Sequence, residues 1–209
     1  MMEVWHYGAA VAIGYLLGAI PTGLILGKAL KGVDLRDYGS GKTGATNALR
    51  TLGKLPAAVV VLFDFAKGML AVLVAYALAG TVAAECLAGL AAAVGHNWPV
   101  YAGFRGGRGV LVSFGVFCLL CWPAAIISFA IGGGIIGLSL IVSLGVLAGT
   151  VVGLLLAILL VALGHFSPWI LLYCVLGAAL ILARHSDNIQ RLVAGTERKI
   201  GQPAQPIAG

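Results

Sequence analysis

Three short stretches of the 209-residue sequence concentrate side chains suited to binding anions. The first runs Asp34-Leu35-Arg36-Asp37-Tyr38-Gly39-Ser40-Gly41-Lys42-Thr43-Gly44-Ala45-Thr46-Asn47-Ala48-Leu49-Arg50. Gly39, Gly41 and Gly44 free the backbone there, and successive N–H groups in such a stretch can form an anion-binding concavity. Ser40, Thr43, Thr46 and Asn47 add short polar donors. Arg50 adds a planar fork that matches phosphate oxygens. The same glycines spell GxGxxG, and Gly41-Lys42-Thr43 hints at a Walker loop. Both nucleotide readings need a preceding strand in a βαβ unit. A long apolar run precedes this stretch instead, so nucleotide binding is set aside.

The second stretch, Gly95-His96-Asn97-Trp98-Pro99-Val100-Tyr101-Ala102-Gly103-Phe104-Arg105-Gly106-Gly107-Arg108-Gly109, sets Arg105 and Arg108 among four glycines and leads into an apolar run. A helix N-terminus beside arginines is a ready anion site. Trp98 and Tyr101 read as interfacial anchors. In the third, Arg184-His185-Ser186-Asp187-Asn188-Ile189-Gln190-Arg191-Leu192-Val193-Ala194-Gly195-Thr196-Glu197-Arg198-Lys199, His185 and Asn188 are three apart and share a helix face. Cys118 and Cys121 form a CxxC without a basic or histidine neighbour to activate a thiolate, so they read as small packing residues. No metal and no cofactor is expected. Asp64 and Lys67, at i and i+3 within an apolar run, read as a mutual pair.

The elements that must hold these stretches are membrane spans. The chain is 61% hydrophobic and only 10% charged, against about 25% charged in soluble domains, with a mean hydropathy of +1.06. Apolar runs of span length lie at roughly 4–27, 55–79 and 81–95. From 109 to 183 no Asp, Glu, Lys or Arg occurs. Trp122-Pro123, the Gly and Ser positions near 139–145, and Gly164-His165-Phe166-Ser167-Pro168 cut that tract into spans at about 109–121, 123–140, 143–163 and 168–183. Twelve of the thirteen Lys and Arg fall in or beside the three stretches, and Lys67 alone lies elsewhere. An even number of crossings between the stretches puts them on one side, and the positive-inside rule makes that side cytoplasmic. The expected fold is therefore all-α, one transmembrane unit over 1–209. It has seven spans, with the N-terminus outside and the C-terminus in the cytoplasm; five spans is the alternative. Glu3 and Glu85 fall on the outer side. The net charge of +6 belongs to the inner face, where membrane lipid is a partner and nucleic acid is not. Three anion sites in a membrane setting imply a phosphorylated substrate and a lipid.

Gly39-Ser40-Gly41 through Asn47-Ala48-Leu49-Arg50, Gly95 to Val100 with Gly106-Gly107-Arg108-Gly109, and His185 to Ile189 with Gly195 to Gly201 together resemble the bacterial acyl-phosphate-dependent glycerol-3-phosphate acyltransferases, the PlsY family. The likeness spans about residues 8–201. It implies a seven-helix bundle in the inner membrane with a cytoplasmic active site. It also implies transfer of a fatty acyl group from acyl phosphate to the 1-hydroxyl of glycerol 3-phosphate, the first step of phospholipid synthesis. By that likeness Ser40, Arg50, His185 and Asn188 support catalysis. Substrate binding falls to Gly39, Gly41, Gly44, Thr46, Asn47, His96, Arg105, Gly106, Gly107, Arg108, Gly109 and Glu197. The sequence departs from the family pattern in carrying arginine at 105 and 108, where lysine is usual, and Lys42 at a small polar position. No histidine has an aspartate five residues on, so the HxxxxD pair of the acyl-CoA enzymes is missing. The competing class is a membrane transporter of an organic phosphate, against which stands the absence of any charged residue in the long central tract.

Overall fold

The computed structural model describes residues 4–207, so Glu3, assigned above to the outer side, lies outside the described residues. Most of the described residues are helical, and none forms a strand beyond one isolated bridge between Tyr38 and Pro206. α1 (Val4–Ala19) breaks at Ile20-Pro21 and continues as α2 (Thr22–Lys31). Proline lacks the N–H that would continue the ladder and pushes the preceding residue out of the helical region. A loop with one 3-10 turn, Leu35–Asp37, leads to the short α3 (Ala45–Thr51). Then come α4 (Lys54–Ala79), α5 (Val82–Asn97), α6 (Val110–Leu120), α7 (Trp122–Ser139), α8 (Val142–Ala162), α9 (Trp169–Arg184) and α10 (Ser186–Val193). The punctuation read from the sequence cuts the 109–183 tract where the helices end. α3, inside the first glycine-rich stretch, was not anticipated.

By length and composition four helical stretches among the described residues can cross a membrane: Val4–Lys31, Lys54–Ala79, Trp122–Ser139 and Val142–Ala162. α9 with α10, bent by 62°, makes a fifth. α5 has 16 residues and α6 has 11, both below the roughly 20 that a perpendicular crossing needs. Large apolar side chains such as Leu62, Phe63, Tyr76 and Leu155 are exposed on the outside of the bundle, as lipid contact requires.

Glycine sets the helix spacing. α1 lies against α5 and α4, α4 against α6, and α7 against α8. A Cβ on Gly18 would overlap the Ala92 carbonyl, and one on Gly95 the Tyr15 carbonyl, so α1 and α5 touch backbone to backbone. Gly132 and Gly145 do the same for α7 and α8, where a Cβ on Gly132 would lie 2.7 Å from the Gly145 oxygen. Close approach through small residues is how helices associate where lipid removes the hydrophobic drive. All four cysteines are free, and Cys86, Cys121 and Cys174 are buried with Val116, Leu120 and Tyr173 in an apolar cluster.

The packing brings the three basic stretches to one end of the bundle. The Arg36 guanidinium donates to the Ala102 carbonyl (2.8 Å), and Arg184 to the Gly107 carbonyl (3.0 Å). The Ile200 N–H donates to Leu140 O (2.8 Å), so the α7–α8 turn shares that end.

Gly18→Ala is expected to lower the melting temperature in detergent, because overpacking at such a contact costs about 1–3 kcal/mol. Gly8→Ala, where a Cβ meets nothing within 4 Å, should leave it unchanged or raise it. Equal melting by both variants would contradict the backbone contact.

Candidate active site

The first stretch is built around Asn47, whose side chain is 2% exposed. Its Nδ2 donates to the carbonyls of Leu35 (2.8 Å), Tyr38 (3.0 Å) and Lys42 (2.8 Å), and its Oδ1 accepts from Ser40 N–H (3.2 Å). One amide thus ties α3 to the whole loop before it. Gly39 has φ +58° and faces Asn47 Oδ1 where a Cβ would clash. The tail closes over this loop. Gly39 N–H donates to Gln205 O (2.9 Å), Ile207 N–H donates to Asp37 O (2.9 Å), and Gly41 N–H donates back to Tyr38 O (3.0 Å). The N–H groups of 39, 40 and 41 are therefore already occupied, and the backbone concavity expected at Gly39 and Gly41 is not open. Their glycines shape the loop instead. The N–H groups of Gly44 and Thr46, at the start of α3, make no hydrogen bond among the described residues.

A cavity of ≈ 410 Å³ opens at the basic end. Ser40, Gly44, Thr46, Asn47 and Arg50 line it from the first stretch, His96, Arg108 and Gly109 from the second, and His185, Asn188 and Glu197 from the third. Gly39, Gly41, Arg105, Gly106 and Gly107 do not reach its wall. Arg105 is exposed. Gly106 and Gly107 are buried beneath His96, where a Cβ on Gly107 would overlap the imidazole. From this mouth the cavity runs between α6, α7, α8 and α9 over an apolar wall that includes Phe117, Phe129, Val146, Leu154 and Ala178.

Carboxylates hold two of the mouth's cations, Arg108 and Arg191, in place. Arg108 pairs with Asp187 (2.8 Å) and donates to Arg184 O (3.1 Å). Arg191 reaches Asp187 (3.3 Å) and Glu197 (2.8 Å). Glu197 also accepts from Asn188 Nδ2 (2.7 Å), which fixes the amide so that Asn188 Oδ1 is a buried acceptor with no partner. His185 Nδ1 lies 2.8 Å from the Ile181 carbonyl, which only accepts, so Nδ1 carries a proton and Nε2 presents a lone pair. Positive charge is still in excess. Burial, then Arg184 and Arg108, pushes the Lys42 ammonium below its ordinary pKa. Burial, then Arg198, lowers Arg50, and burial lowers Arg108. Cations desolvated together in this way are stabilised by a bound anion.

Lys42, Arg191 and Arg198 also line the cavity and are not among the site residues expected from sequence, where Lys42 stands out only as a departure from the family pattern. Arg191 carried a signal, standing three residues after Asn188 on one face of α10. Asn97 carried none: it is 1% exposed beside Gly109, with both amide atoms unpartnered. Arg184 stacks over Trp98, 5.1 Å from the ring centroid, which gives that tryptophan a specific partner as well as its place near the interface.

Asn47→Ala is expected to leave the bundle folded and the loop loosened, since buried carbonyls that lose their donors cost about 1–3 kcal/mol. Faster proteolytic cleavage within 36–44 at an unchanged melting temperature is the measurement; unchanged cleavage would remove the clamp.

A family model described as "Glycerol-3-phosphate acyltransferase" matches residues 8–195. A glycerol-3-phosphate acyltransferase of Parasynechococcus marenigrum is 47% identical over 194 residues, covering 93% of this chain and 90% of that one. One of Gloeobacter violaceus is 45% identical over 197 residues, covering 92% and 94%. The crystal structure of PlsY, an integral membrane glycerol 3-phosphate acyltransferase, in its glycerol 3-phosphate form aligns with a TM-score of 0.85 at 38% identity, covering 93% of this chain and 96% of that one. Its lysophosphatidic acid form aligns at 0.81 and 37%.

Proposed function

The chain belongs to the glycerol-3-phosphate acyltransferase family, and we propose that its cavity is where a fatty acyl phosphate gives its acyl group to the 1-hydroxyl of glycerol 3-phosphate. It is a multi-pass membrane acyltransferase, and its products are lysophosphatidic acid and inorganic phosphate. The observation that carries the reading is the cavity's two-part wall, cationic at the mouth and apolar between the helices. A phosphate fits the first part and an acyl chain the second. The relative crystallised in glycerol 3-phosphate and lysophosphatidic acid forms supports the same pair of ligands.

The transfer is direct. The hydroxyl oxygen bonds to the acyl carbonyl carbon, and the bond from that carbon to the phosphate oxygen breaks. The hydroxyl proton passes to the departing phosphate or to His185 Nε2. An acyl phosphate is a mixed anhydride, so its leaving group needs little protonation. The barrier lies in bringing two anions together. Arg50, Arg108, Lys42 and Arg191 offset that repulsion, and positioning with charge stabilisation supplies the rate. Ser40 and Thr46 hydroxyls donate to substrate oxygens, and the free acceptor of Asn188 receives the attacking hydroxyl. Glu197 acts by fixing Asn188 and Arg191.

The chain crosses the inner membrane seven times, through α1, α4, α5, α6, α7, α8 and α9, with the cavity mouth in the cytoplasm. The shared end of the three basic stretches and the α7–α8 turn supports the count, and the positive-inside rule supports the orientation.

Purified protein in lipid, given acyl phosphate and labelled glycerol 3-phosphate, is expected to form lysophosphatidate. Labelled glycerol 3-phosphate accumulating inside vesicles without product would replace the reading with transport. Arg50→Ala and Asn188→Ala should each cut the rate by at least about 100-fold with melting unchanged, the scale of losing a stabilising donor. Wild-type rates would remove the assignment, and a covalent acyl-protein trapped in turnover would overturn direct transfer.

A further inference from the structure

Among the described residues one cluster of charged side chains lies inside the bundle, with Asp64 and His96 on the cavity wall and Lys67 behind them. Lys67 Nζ on α4 lies 2.8 Å from Asp64 Oδ1, 2.9 Å from His96 Nδ1 on α5, and 2.9 Å from the Ile20 carbonyl at the α1–α2 break. Both charged side chains are nearly fully buried, 5% and 3% exposed. Two of the ammonium's three donors go to the Ile20 carbonyl and to His96 Nδ1, and the Asp64 carboxylate beside it balances its charge as an ion pair. The consequence falls on His96. A nitrogen that accepts from an ammonium cannot itself carry a proton, so His96 is deprotonated at Nδ1 and carries its proton at Nε2. Asp64 Oδ1 stands 3.7 Å from that Nδ1, too far to compete as its acceptor.

The far side of the ring meets the cavity. His96 lines its wall, and Nε2 sits over Gly107, at a place where any Cβ would overlap it. Gly107 N–H donates to the His96 carbonyl (3.0 Å), so backbone and ring of His96 are held to the same turn that carries Arg108.

We propose that Lys67 and Asp64 are positioning residues that lock His96 as a neutral imidazole whose Nε2–H donates to a substrate phosphate oxygen at the cavity mouth. The cluster turns a group that could accept a proton into one that only donates a hydrogen bond. His96 and His185 then present opposite faces of imidazole chemistry to one cavity: a donor at His96 Nε2 and an acceptor at His185 Nε2. The inference rests on the acyl-transfer reading for its substrates. The phosphate belongs either to glycerol 3-phosphate or to the acyl phosphate, and KM measured for each tells them apart.

The test uses full-length protein in lipid nanodiscs with ¹⁵N-labelled histidine, the His96 signals being identified by their loss in His96→Gln. The expected spectrum has an unprotonated Nδ1 and a protonated Nε2. Asp64→Asn combined with Lys67→Met removes both charges together, so that neither is left buried alone. In that variant the tautomer signature is expected to be lost, and KM for one of the two phosphates to rise roughly 10–100-fold, the scale of a hydrogen bond to a charged group. The fall in kcat should be smaller. Glutamine keeps an N–H near the Nε2 position and asparagine does not, so His96→Gln should retain much more substrate affinity than His96→Asn. A wild-type His96 protonated at Nδ1, or a folded double variant with both KM values unchanged, would overturn the proposal. An inactive wild-type enzyme would instead overturn the acyl-transfer reading, which the tautomer measurement does not depend on.

Discussion

The repulsion among cations at one cavity mouth is the constraint around which the rest of the molecule is arranged. Lys42, Arg50, Arg108, Arg191 and Arg198 share that wall, partly out of water. Like charges in such a setting separate or shed protons unless something holds them. Asp187 and Glu197 do the holding, each from the third basic stretch and each through more than one partner. They restrain Arg108 and Arg191, while Lys42, Arg50 and Arg198 have no carboxylate partner among the described residues, which leaves a net attraction for anions. A mouth with matched charges would be stable and would have no use for phosphate.

Holding three separate stretches of chain within reach of each other demands a scaffold with little play. The glycine contacts supply it. Where α1 meets α5 and α7 meets α8, backbone touches backbone, and a displacement of one helix must move the other. Rigid packing matters here because oriented charges act on a transition state only if they do not have to reorganise when it forms. Gly132 and Gly145 also line the cavity, so the contact that fixes α7 against α8 leaves a stretch of wall without side chains beside an apolar chain.

Much of this was legible in the residues. Helix boundaries in the uncharged tract followed Pro, Gly and Ser, because those residues change what the backbone can do locally. The three basic stretches stood out because charge is costly in lipid and is kept where it works. What escaped was set by distance in space. Gly39 and Gly41 read as N–H donors to an anion, yet a tail more than 160 residues away takes the Gly39 N–H, the loop's own Tyr38 carbonyl takes that of Gly41, and the Asn47 side chain takes that of Ser40 between them. Arg105 and Arg108 look equivalent in sequence, and only the turn at Gly106-Gly107 sends one outward and the other to the cavity. Asn97 and the partnership of Lys67 with His96 are tertiary facts with no local pattern to announce them.

The break at Pro21 links these scales. In an unbroken helix the Ile20 carbonyl would be spent on the next turn of its own ladder. The interruption leaves it available, and Lys67 takes it. The proline is therefore tied to a lysine 46 positions later and, through that lysine, to the protonation of a histidine on a third helix. A change that repaired the first helix would strand an ammonium donor inside the bundle, so the imperfect helix and the buried charge form one energetic unit, and neither can be altered alone without cost to the other.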